Sequence, residues 1–203
     1  MRSRIKTTVT LTFALVALLL VALTWDVAAS QTVIKLVPRE EQIRVSKETT
    51  VDLTVEQVTE LYGAQIMIRF DPAVLEVVDA DPAKEGIQVQ PGTLPSPDFI
   101  VQNMADNQAG TIDYALTSLP PSKPSSGDGV IARITFRAKK AAVSPLILEQ
   151  ALLADTAGGS IEATSQHGQI KVTSGSVLLL AIGGGLAALL VIGGGIGYVV
   201  TRK

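Results

Sequence analysis

Side chains able to perform covalent or metal chemistry are few in this 203-residue chain. It contains no cysteine and one histidine, His167, which precedes Gly168 in a predicted turn. Without a second histidine or a cysteine, a zinc site has too few ligands, and no Gly-x-Ser-x-Gly motif places a serine nucleophile beside the histidine. We therefore predict no catalytic residue and no metal ligand, and we expect that the protein is not an enzyme.

Acidic residues are numerous but lack the spacing of a catalytic or calcium-binding site. With 18 of them in residues 31–174, some pair will reach the roughly 5 to 10 Å separation of glycosidase carboxylates by chance. Asp79 with Asp81, and Asp106 with Asn107, offer oxygen ligands for calcium, but the acidic spacing of an EF-hand loop is absent. Turn formation is the simpler interpretation of these residues. No cofactor is expected on this chain.

The charge of the central segment argues against one class of partner. Between Gln31 and Ser174 there are 12 lysines and arginines against 18 aspartates and glutamates, a net charge of −6. Binding to nucleic acid depends on basic residues that neutralise phosphates, so no nucleic-acid partner is expected. Without disulfides, the segment must be held together by a hydrophobic core, and about 140 residues suffice to form one.

Carbohydrate stacking requires exposed aromatic rings, and the central segment has few. Its tyrosines and phenylalanines are Tyr62, Phe70, Phe99, Tyr114 and Phe136. Alternation along the predicted strands places Phe70, Tyr114 and Phe136 on inward faces. The two remaining rings are too few for a convincing stacking platform, which leaves polar loops as the route by which a polysaccharide could be bound.

Both ends of the chain carry apolar segments. Residues 1–30 have the basic, apolar and small-residue regions of a secretory signal peptide, with cleavage expected before Gln31; the alternative is an uncleaved anchor. Residues 177–200 are 24 uncharged, apolar residues, enough for a transmembrane helix at about 1.5 Å per residue. Residues 174–176 form a short linker, and the basic tail 201–203 favours the cytoplasmic side. These segments predict a single-pass type I membrane protein with its domain outside the cell.

The sequence between these ends, residues 31–173, is typical of an all-β domain. In 62–78, apolar and polar residues alternate up to an Asp71-Pro72 turn, after which a second strand follows. Residues 130–138 alternate in the same way, and a short strand is predicted at 87–89 within a long loop. No long window has helical periodicity. Many short strands with turn signals about every 8 to 12 residues predict a jelly-roll-like β-sandwich of about nine strands.

Three motifs in this segment resemble those of the cohesin domain family. The run YGAQIMIRFDPAVLEVVDADP, from Tyr62, is similar to the family's apolar strand that ends in Tyr/Phe-Asp-Pro and is followed by a Leu-Glu-Val strand. The runs DNQAGTIDYALTS, from Asp106, and GDGVIARITFRAK, from Gly127, resemble the strands Gly-x-Ile/Val-x-Tyr/Phe and Asp-Gly-x-x-Ala-x-Ile-x-Phe. The three motifs occur in the family's order. Near the start, VSKETTVDLTV replaces the usual Gly-Asp/Glu turn.

The resemblance implies a non-catalytic docking module at the cell surface. Its partner is then a dockerin, a small calcium-binding helical module of secreted, often polysaccharide-degrading proteins, so calcium is expected on the partner rather than on this chain. The resemblance implies contact through one sheet face, for which the outward-facing Gln65, Arg69, Asp113 and Arg133 are candidates. The charge of −6 favours a basic partner.

Two alternative functions stay open. One is a carbohydrate-binding module on the cell surface, since several such modules share the sandwich fold, although a shared fold alone does not establish a function. The other is a structural or adhesive surface domain without a dockerin partner.

Overall fold

The structure is a computed structural model that describes residues 31–174, 178–181 and 188–191. Residues 31–174 form two β-sheets, and no helix occurs in the described part of the chain, which confirms the all-β prediction. The strands are β1 (Thr32–Val37), β2 (Glu40–Arg44), β3 (Glu48–Leu61), β4 (Gly63–Arg69), β5 (Leu75–Val77), β6 (Gln90–Pro91), β7 (Phe99–Asp106), β8 (Thr111–Thr117), β9 (Ser125–Ala138), β10 (Val143–Ala154), β11 (Ser160–Ile161), β12 (Ala163–Gln166), β13 (Gly168–Thr173), β14 (Leu178–Ala181) and β15 (Ala188–Val191).

Two sheets of mainly antiparallel strands make up the domain. Sheet one has the strand order β12-β1-β3-β9-β5, and β6 also pairs with β9. Sheet two has the order β2-β13-β10-β4-β8-β7, and β11 also pairs with β10. These thirteen strands exceed the predicted number of about nine mainly because β6, β11 and β12 are only two to four residues long, too short to show alternation. The strand predicted at 87–89 is a single bridge from Ile87 to Ala105.

The inward faces of both sheets share one hydrophobic core. In β4 the apolar residues are buried while Gln65 and Arg69 are exposed, as alternation predicts. Phe70 and Phe136 meet edge to face, with ring centroids 5.5 Å apart and an interplanar angle of 69°, and burial of each ring contributes about 1.5 to 3 kcal/mol. The core residues run from Ile34 to Val172. Residues 31–174 therefore hold the whole described core and both sheets, which is what an independently folding domain requires.

The Asp-Pro turn that follows β4 is tied to neighbouring elements. The Asp71 Oδ1 atom accepts a hydrogen bond from the Ala73 amide at 2.8 Å, and the Asp71 amide donates to the buried Ser144 hydroxyl of β10 at 2.9 Å. On the other side, the Phe70 amide donates to the carbonyl of Gly110, in the turn between β7 and β8, at 2.8 Å. Gly110 has a φ of 73°, and a Cβ atom there would lie 2.4 Å from the Phe70 carbonyl oxygen. Glycine is therefore required at this position.

Strand β3 becomes irregular toward its end. Its register with β9 shifts twice between Val55 and Leu61. In this stretch Gln57 and Glu60 have positive φ values of 55° and 56°. Their amides are satisfied by side chains of β9, since Gln57 donates to Asp128 Oδ1 at 2.7 Å and Glu60 donates to the Ser126 hydroxyl at 2.9 Å. Side chains of β9 thus stabilise two bulges of β3.

The first two strands of the domain pair with its last two strands, and both segments change from sheet one to sheet two. In sheet one β1 pairs in parallel with β12, and in sheet two β2 pairs in parallel with β13. The two connections between the sheets, one between β1 and β2 and the other between β12 and β13, are hydrogen-bonded to each other. Arg39 Nε donates to the His167 carbonyl at 3.4 Å, and the Gln169 amide donates to the Arg39 carbonyl at 2.7 Å. Both ends of the domain are thereby held in the same pair of sheets.

The predicted transmembrane span 177–200 is described only in part. Its described residues form β14 and β15, which pair antiparallel with each other, whereas the sequence predicts a helix; a uniformly apolar run does not distinguish the two by periodicity. The rest of the span, most of the linker 174–176, the signal segment 1–30 and the tail 201–203 lie outside the described residues. Among the described residues, no helix is long and apolar enough to cross a bilayer. The signal peptide and the membrane helix stay predictions.

Candidate functional site

The four residues predicted for partner binding lie on two different sheets. Gln65 and Arg69 are in β4, and Asp113 is in the adjacent strand β8. These three lie together on the outer face of sheet two. Arg133 is in β9, on the outer face of sheet one. Alternation assigned each residue correctly to an outward face, but it carries no information on which sheet a strand joins.

The outer face of sheet one is covered by ion pairs between neighbouring strands. Arg133 binds both carboxylate oxygens of Asp52, at 2.7 and 3.0 Å. Arg137 contacts Glu48 and Glu76, each at 2.8 Å, and these hydrogen bonds raise its pKa. The same face also holds the pair Lys35–Glu56. Because the charges on this face are satisfied within the sheet, it offers little to a charged partner.

The outer face of sheet two has a different character, and its registers define two central rows. The first row crosses β10, β4, β8 and β7 through Leu152, Gln65, Ala115 and Gln102. The second crosses the same strands through Gln150, Met67, Asp113 and Met104. The only charged residue in these rows is Asp113.

Large apolar side chains are exposed on this face. Phe99, Val101 and Met104 of β7 are 53%, 59% and 49% exposed, and Leu152 of β10 is 51% exposed. Phe99 lies opposite Thr117 of β8, and Val101 lies in the β7 bulge beside Gln102. Clustered exposed apolar residues on a single face are characteristic of interaction surfaces. Alternation had already left Phe99 off the inward faces, whereas Val101 and Met104 were missed because the bulge breaks the alternation of β7.

A shallow depression of about 350 Å³ lies at the centre of this face. Apolar side chains of Met67 and Val101 line it together with the polar Gln65, Gln102 and Asp113. Within the described part of the chain, the side chains of these three polar residues have no hydrogen-bond or ion-pair partner. The depression thus combines an apolar floor with polar groups that are free to bind an incoming side chain.

Arg69, the remaining predicted site residue on sheet two, already has an ion-pair partner. Its guanidinium forms a two-point contact with Glu149, in which Nη2 lies 2.9 Å from Oε2. The contact raises the pKa of Arg69 and lowers that of Glu149. Glu149 itself projects from a bulge of β10, between Leu148 and Gln150. Arg69 therefore lies at the border of the face as part of an ion pair.

Beneath the face, Tyr114 is buried as alternation predicts. The residue is 2% exposed, and its hydroxyl has no hydrogen-bond partner among the described residues. Burial raises the pKa of this hydroxyl to about 12, since the phenolate would be poorly solvated in the core. Tyr114 contributes to packing rather than to a reactive centre.

The lone histidine has a structural contact. Its Nδ1 atom accepts a hydrogen bond from the Leu148 amide at 3.1 Å. A cavity of about 220 Å³ beside it is lined by Arg39, Glu40 and Gln169. Among the described residues, no serine is hydrogen-bonded to the ring.

The acidic residues considered as calcium ligands act in turns. Asp79 Oδ1 accepts from the amides of Asp81 and Gln88, at 3.1 and 2.9 Å. Asp106 Oδ1 accepts two amides of the β7–β8 turn, which lower its pKa. Asn107 exchanges two hydrogen bonds with the backbone of Val77. In the described residues, no three side chains of the kinds that bind metals come together.

Comparison with known proteins identifies the family of this chain. Residues 36–172 match the sequence profile of the cohesin domain, which covers more than half of the chain. A comparison with curated proteins finds no matching relative.

Solved structures of cohesins share the fold. A type II cohesin domain from the cellulosome of Acetivibrio cellulolyticus aligns with a TM-score of 0.60 and 20% identity, over 70% of this chain and 95% of that one. A non-cellulosomal cohesin from the archaeon Archaeoglobus fulgidus aligns with a TM-score of 0.56 and 18% identity, over 71% and 93%. A cohesin in a type I cohesin–dockerin complex from Clostridium thermocellum aligns with a TM-score of 0.58 and 15% identity, over 71% and 100%. With the sequence match and this shared β-sandwich, the chain belongs to the cohesin domain family.

Proposed function

We propose that this protein is a non-catalytic docking module that binds a dockerin-type, calcium-binding module through the outer face of sheet two. The observation that carries the proposal is the contrast between the two sheets. Sheet one neutralises its own charges, whereas sheet two exposes apolar side chains around a depression with unpaired polar groups. Interface centres combine such apolar contact with a few polar groups that fix orientation.

The chemistry of the face defines the partner surface that would fit it. The partner should present apolar side chains to Met67, Val101, Met104 and Leu152. It should also present a hydrogen-bond donor or a basic side chain to the unpaired Asp113 carboxylate. The net charge of −6 would speed the approach of a basic partner, most strongly at low salt. Calcium belongs to the partner in this proposal, since the acidic turn residues of this chain already accept hydrogen bonds from its own backbone.

Family membership and the solved structures support a dockerin as the partner. The cohesin from Clostridium thermocellum is described in complex with a dockerin, and a type II cohesin from Acetivibrio cellulolyticus is described in complex with an X-dockerin module. The proposal for this chain adds display on the outside of a membrane, with the domain held by the apolar segment 177–200. That part is supported by the signal-like segment 1–30 and the apolar composition of 177–200.

A capture experiment tests the docking proposal. Residues 31–174 are immobilised and exposed to the host's secreted proteins in calcium, then washed with EDTA. We expect EDTA to release a protein that carries paired calcium-loop repeats, because a dockerin needs calcium to fold. If no protein is retained in calcium while an insoluble polysaccharide holds the domain with or without EDTA, the chain is a carbohydrate-binding module instead.

Two matched variants assign the binding to one face. Leu152→Lys adds a charge on the outer face of sheet two, where the leucine is 51% exposed, and Val37→Lys adds the same charge on a strand of sheet one, where the valine is 40% exposed. We expect the affinity for the captured protein to fall at least about tenfold in Leu152→Lys and to change little in Val37→Lys. Equal effects of the two variants would refute the assignment to sheet two.

A further inference from the structure

The edge strands of the two sheets differ in how well they are protected against pairing with other chains. Strand β5 has three residues and β12 has four, and β2 carries Glu40, Glu41 and Arg44. Strand β7 is eight residues long and has no charged side chain from Phe99 to Ala105. Short length, charge and bulges are the usual protections of a sheet edge. From Phe99 to Ala105 the edge formed by β7 lacks the first two and has only the bulge between Ile100 and Gln102.

Only half of the β7 edge is covered by the rest of the domain. Near its end, the Ala105 amide donates to the Ile87 carbonyl at 2.8 Å, and the Asn103 side chain exchanges two hydrogen bonds of 2.8 Å with the backbone of Val89. Residues 99–102 pair with β8 on one side. In the described part of the chain, no backbone group pairs with them on the other side. We call residues 99–102 the open edge.

We propose that the open edge pairs antiparallel with the open edge of a second copy of this chain. A two-fold axis through Ile100 places Phe99 of one copy opposite Val101 of the other, and the same contact occurs again by symmetry. Both side chains are more than half exposed, at 53% and 59%. Cross-strand pairs of an aromatic with a β-branched residue stabilise antiparallel sheets, and identical strands that pair antiparallel form a closed, two-fold dimer. Sheet two would then continue across both copies.

Charge and coverage both favour this register with a second copy. Because no side chain from Phe99 to Ala105 is charged, two copies of the strand meet without like charges opposite each other. A shift of the register by four residues would place Asp98 of one copy opposite Asp106 of the other, which is unfavourable. The same shift would require pairing along residues 103–106, the half already covered by 87–89. The central register avoids both problems.

The dimer should depend on salt in an unusual way. Each domain carries a net charge of −6, so two copies repel each other at low ionic strength, whereas the shared seam contains no ion pair that salt could weaken. Added salt screens the repulsion. Dimerisation should therefore become stronger as sodium chloride is raised, the opposite of what an interface built on ion pairs would show.

Sedimentation velocity of residues 31–174 over a range of concentrations tests the proposal. We expect a monomer–dimer equilibrium that shifts toward dimer with added sodium chloride. Val101→Lys should weaken dimerisation at least about tenfold, because it places a charge at the seam in both copies. The control, Val143→Lys, makes the same change at a 49% exposed position on β10 and should dimerise like the wild type. A wild-type domain that stays monomeric throughout, or a Val101→Lys variant that dimerises as well as the control, would overturn the proposal.

The absence of cysteine allows a second test, of the register. Phe99→Cys and Val101→Cys are prepared as separate variants and treated with a short thiol-specific cross-linker, alone and as a mixture. Opposite Cβ atoms in an antiparallel pair lie about 4.5 to 5.5 Å apart, so the mixture should give more cross-linked dimer than either variant alone. Equal or greater cross-linking of Phe99→Cys with itself would contradict the register. Neither experiment uses a dockerin, so its result is independent of the proposed docking function.

Discussion

The backbone amide of Leu148 donates a hydrogen bond to Nδ1 of His167 at a distance of 3.1 Å. This contact lies where the chain crosses from β12 into β13, beside the β10 bulge at Glu149. An unprotonated Nδ1 is required, because a protonated ring has a donor at both nitrogens. The only histidine of the chain thus supplies the acceptor for a backbone amide of β10.

Replacement of this histidine tests its structural role. His167→Ala removes the acceptor for a partly buried amide and should lower the free energy of unfolding by about 1 kcal/mol. His167→Asn is the control, because its side-chain oxygen can take the place of Nδ1 and should restore most of the loss. Urea unfolding of residues 31–174 measures both. Equal destabilisation by the two variants would show that the hydrogen bond is not the source of the effect.

The buried Tyr114 hydroxyl predicts a loss of stability at high pH. Burial raises its pKa from 10 to about 12 in the folded domain, so the folded state holds this proton more tightly than the unfolded chain. The contribution is constant below pH 10 and is lost as the pH rises toward 12, by roughly 2 to 3 kcal/mol. Tyr114→Phe lacks the titrating group and should lose less stability over this range. Since the hydroxyl has no partner, the variant should be at least as stable as the wild type at neutral pH.

Unfolding of both proteins at pH 8 and at pH 11 separates this effect from the titration of other groups. All remaining lysines, arginines and tyrosines are common to the pair, so the difference between the two proteins reports on Tyr114. Parallel losses of stability would argue that the phenol reaches solvent in the folded domain.

The β3 bulge predicts a role for an exposed carboxylate. Asp128 Oδ1 accepts the Gln57 amide at 2.7 Å, at a residue with a φ of 55°. Asp128→Ala should destabilise the domain by about 1 kcal/mol, while Asp128→Asn keeps an acceptor and should cost less. Thermal unfolding compares the three proteins. An Asp128→Asn variant as unstable as Asp128→Ala would indicate that charge, rather than the hydrogen bond, matters at this position.

Two glycines with similar backbone angles separate conformational strain from steric overlap. Gly110 and Gly158 have φ values of 73° and 77°, but a Cβ atom at Gly110 would lie 2.4 Å from the Phe70 carbonyl oxygen, whereas one at Gly158 meets no atom within 4 Å. Gly158→Ala should cost about 1 kcal/mol from the backbone alone. Gly110→Ala adds the overlap and should cost more, about 2 to 4 kcal/mol. Equal costs would mean that the β7–β8 turn moves freely away from β4.

Alternation predicted the core well because it depends only on neighbours along the chain. The burial of Phe70, Tyr114 and Phe136 follows from the parity of their strands, and the turns at Asp71-Pro72 and before Gly110 follow from residue type. These features are local, so a single sequence contains the information that determines them.

The candidate site was predicted less completely because it depends on pairing between distant strands. Nothing near Arg133 indicates that β9 joins β3 rather than β4, so parity grouped it with Gln65 although they lie on different sheets. The exposure of Val101 depends on a bulge opposite β8, which interrupts the alternation. The run Phe99-Ile-Val101 was the available signal, since three consecutive apolar residues fit a regular half-buried strand poorly.

The parallel pairing of the domain's first two strands with its last two affects how the domain would bear a pulling force. If the two ends, near Thr32 and Thr173, were drawn apart, β1 would slide against β12 and β2 against β13 along their lengths. The hydrogen bonds of both pairs would then be loaded together instead of opening one after another. A fold in which two parallel strand pairs link the two ends is therefore suited to carrying tension between the segments attached at those ends.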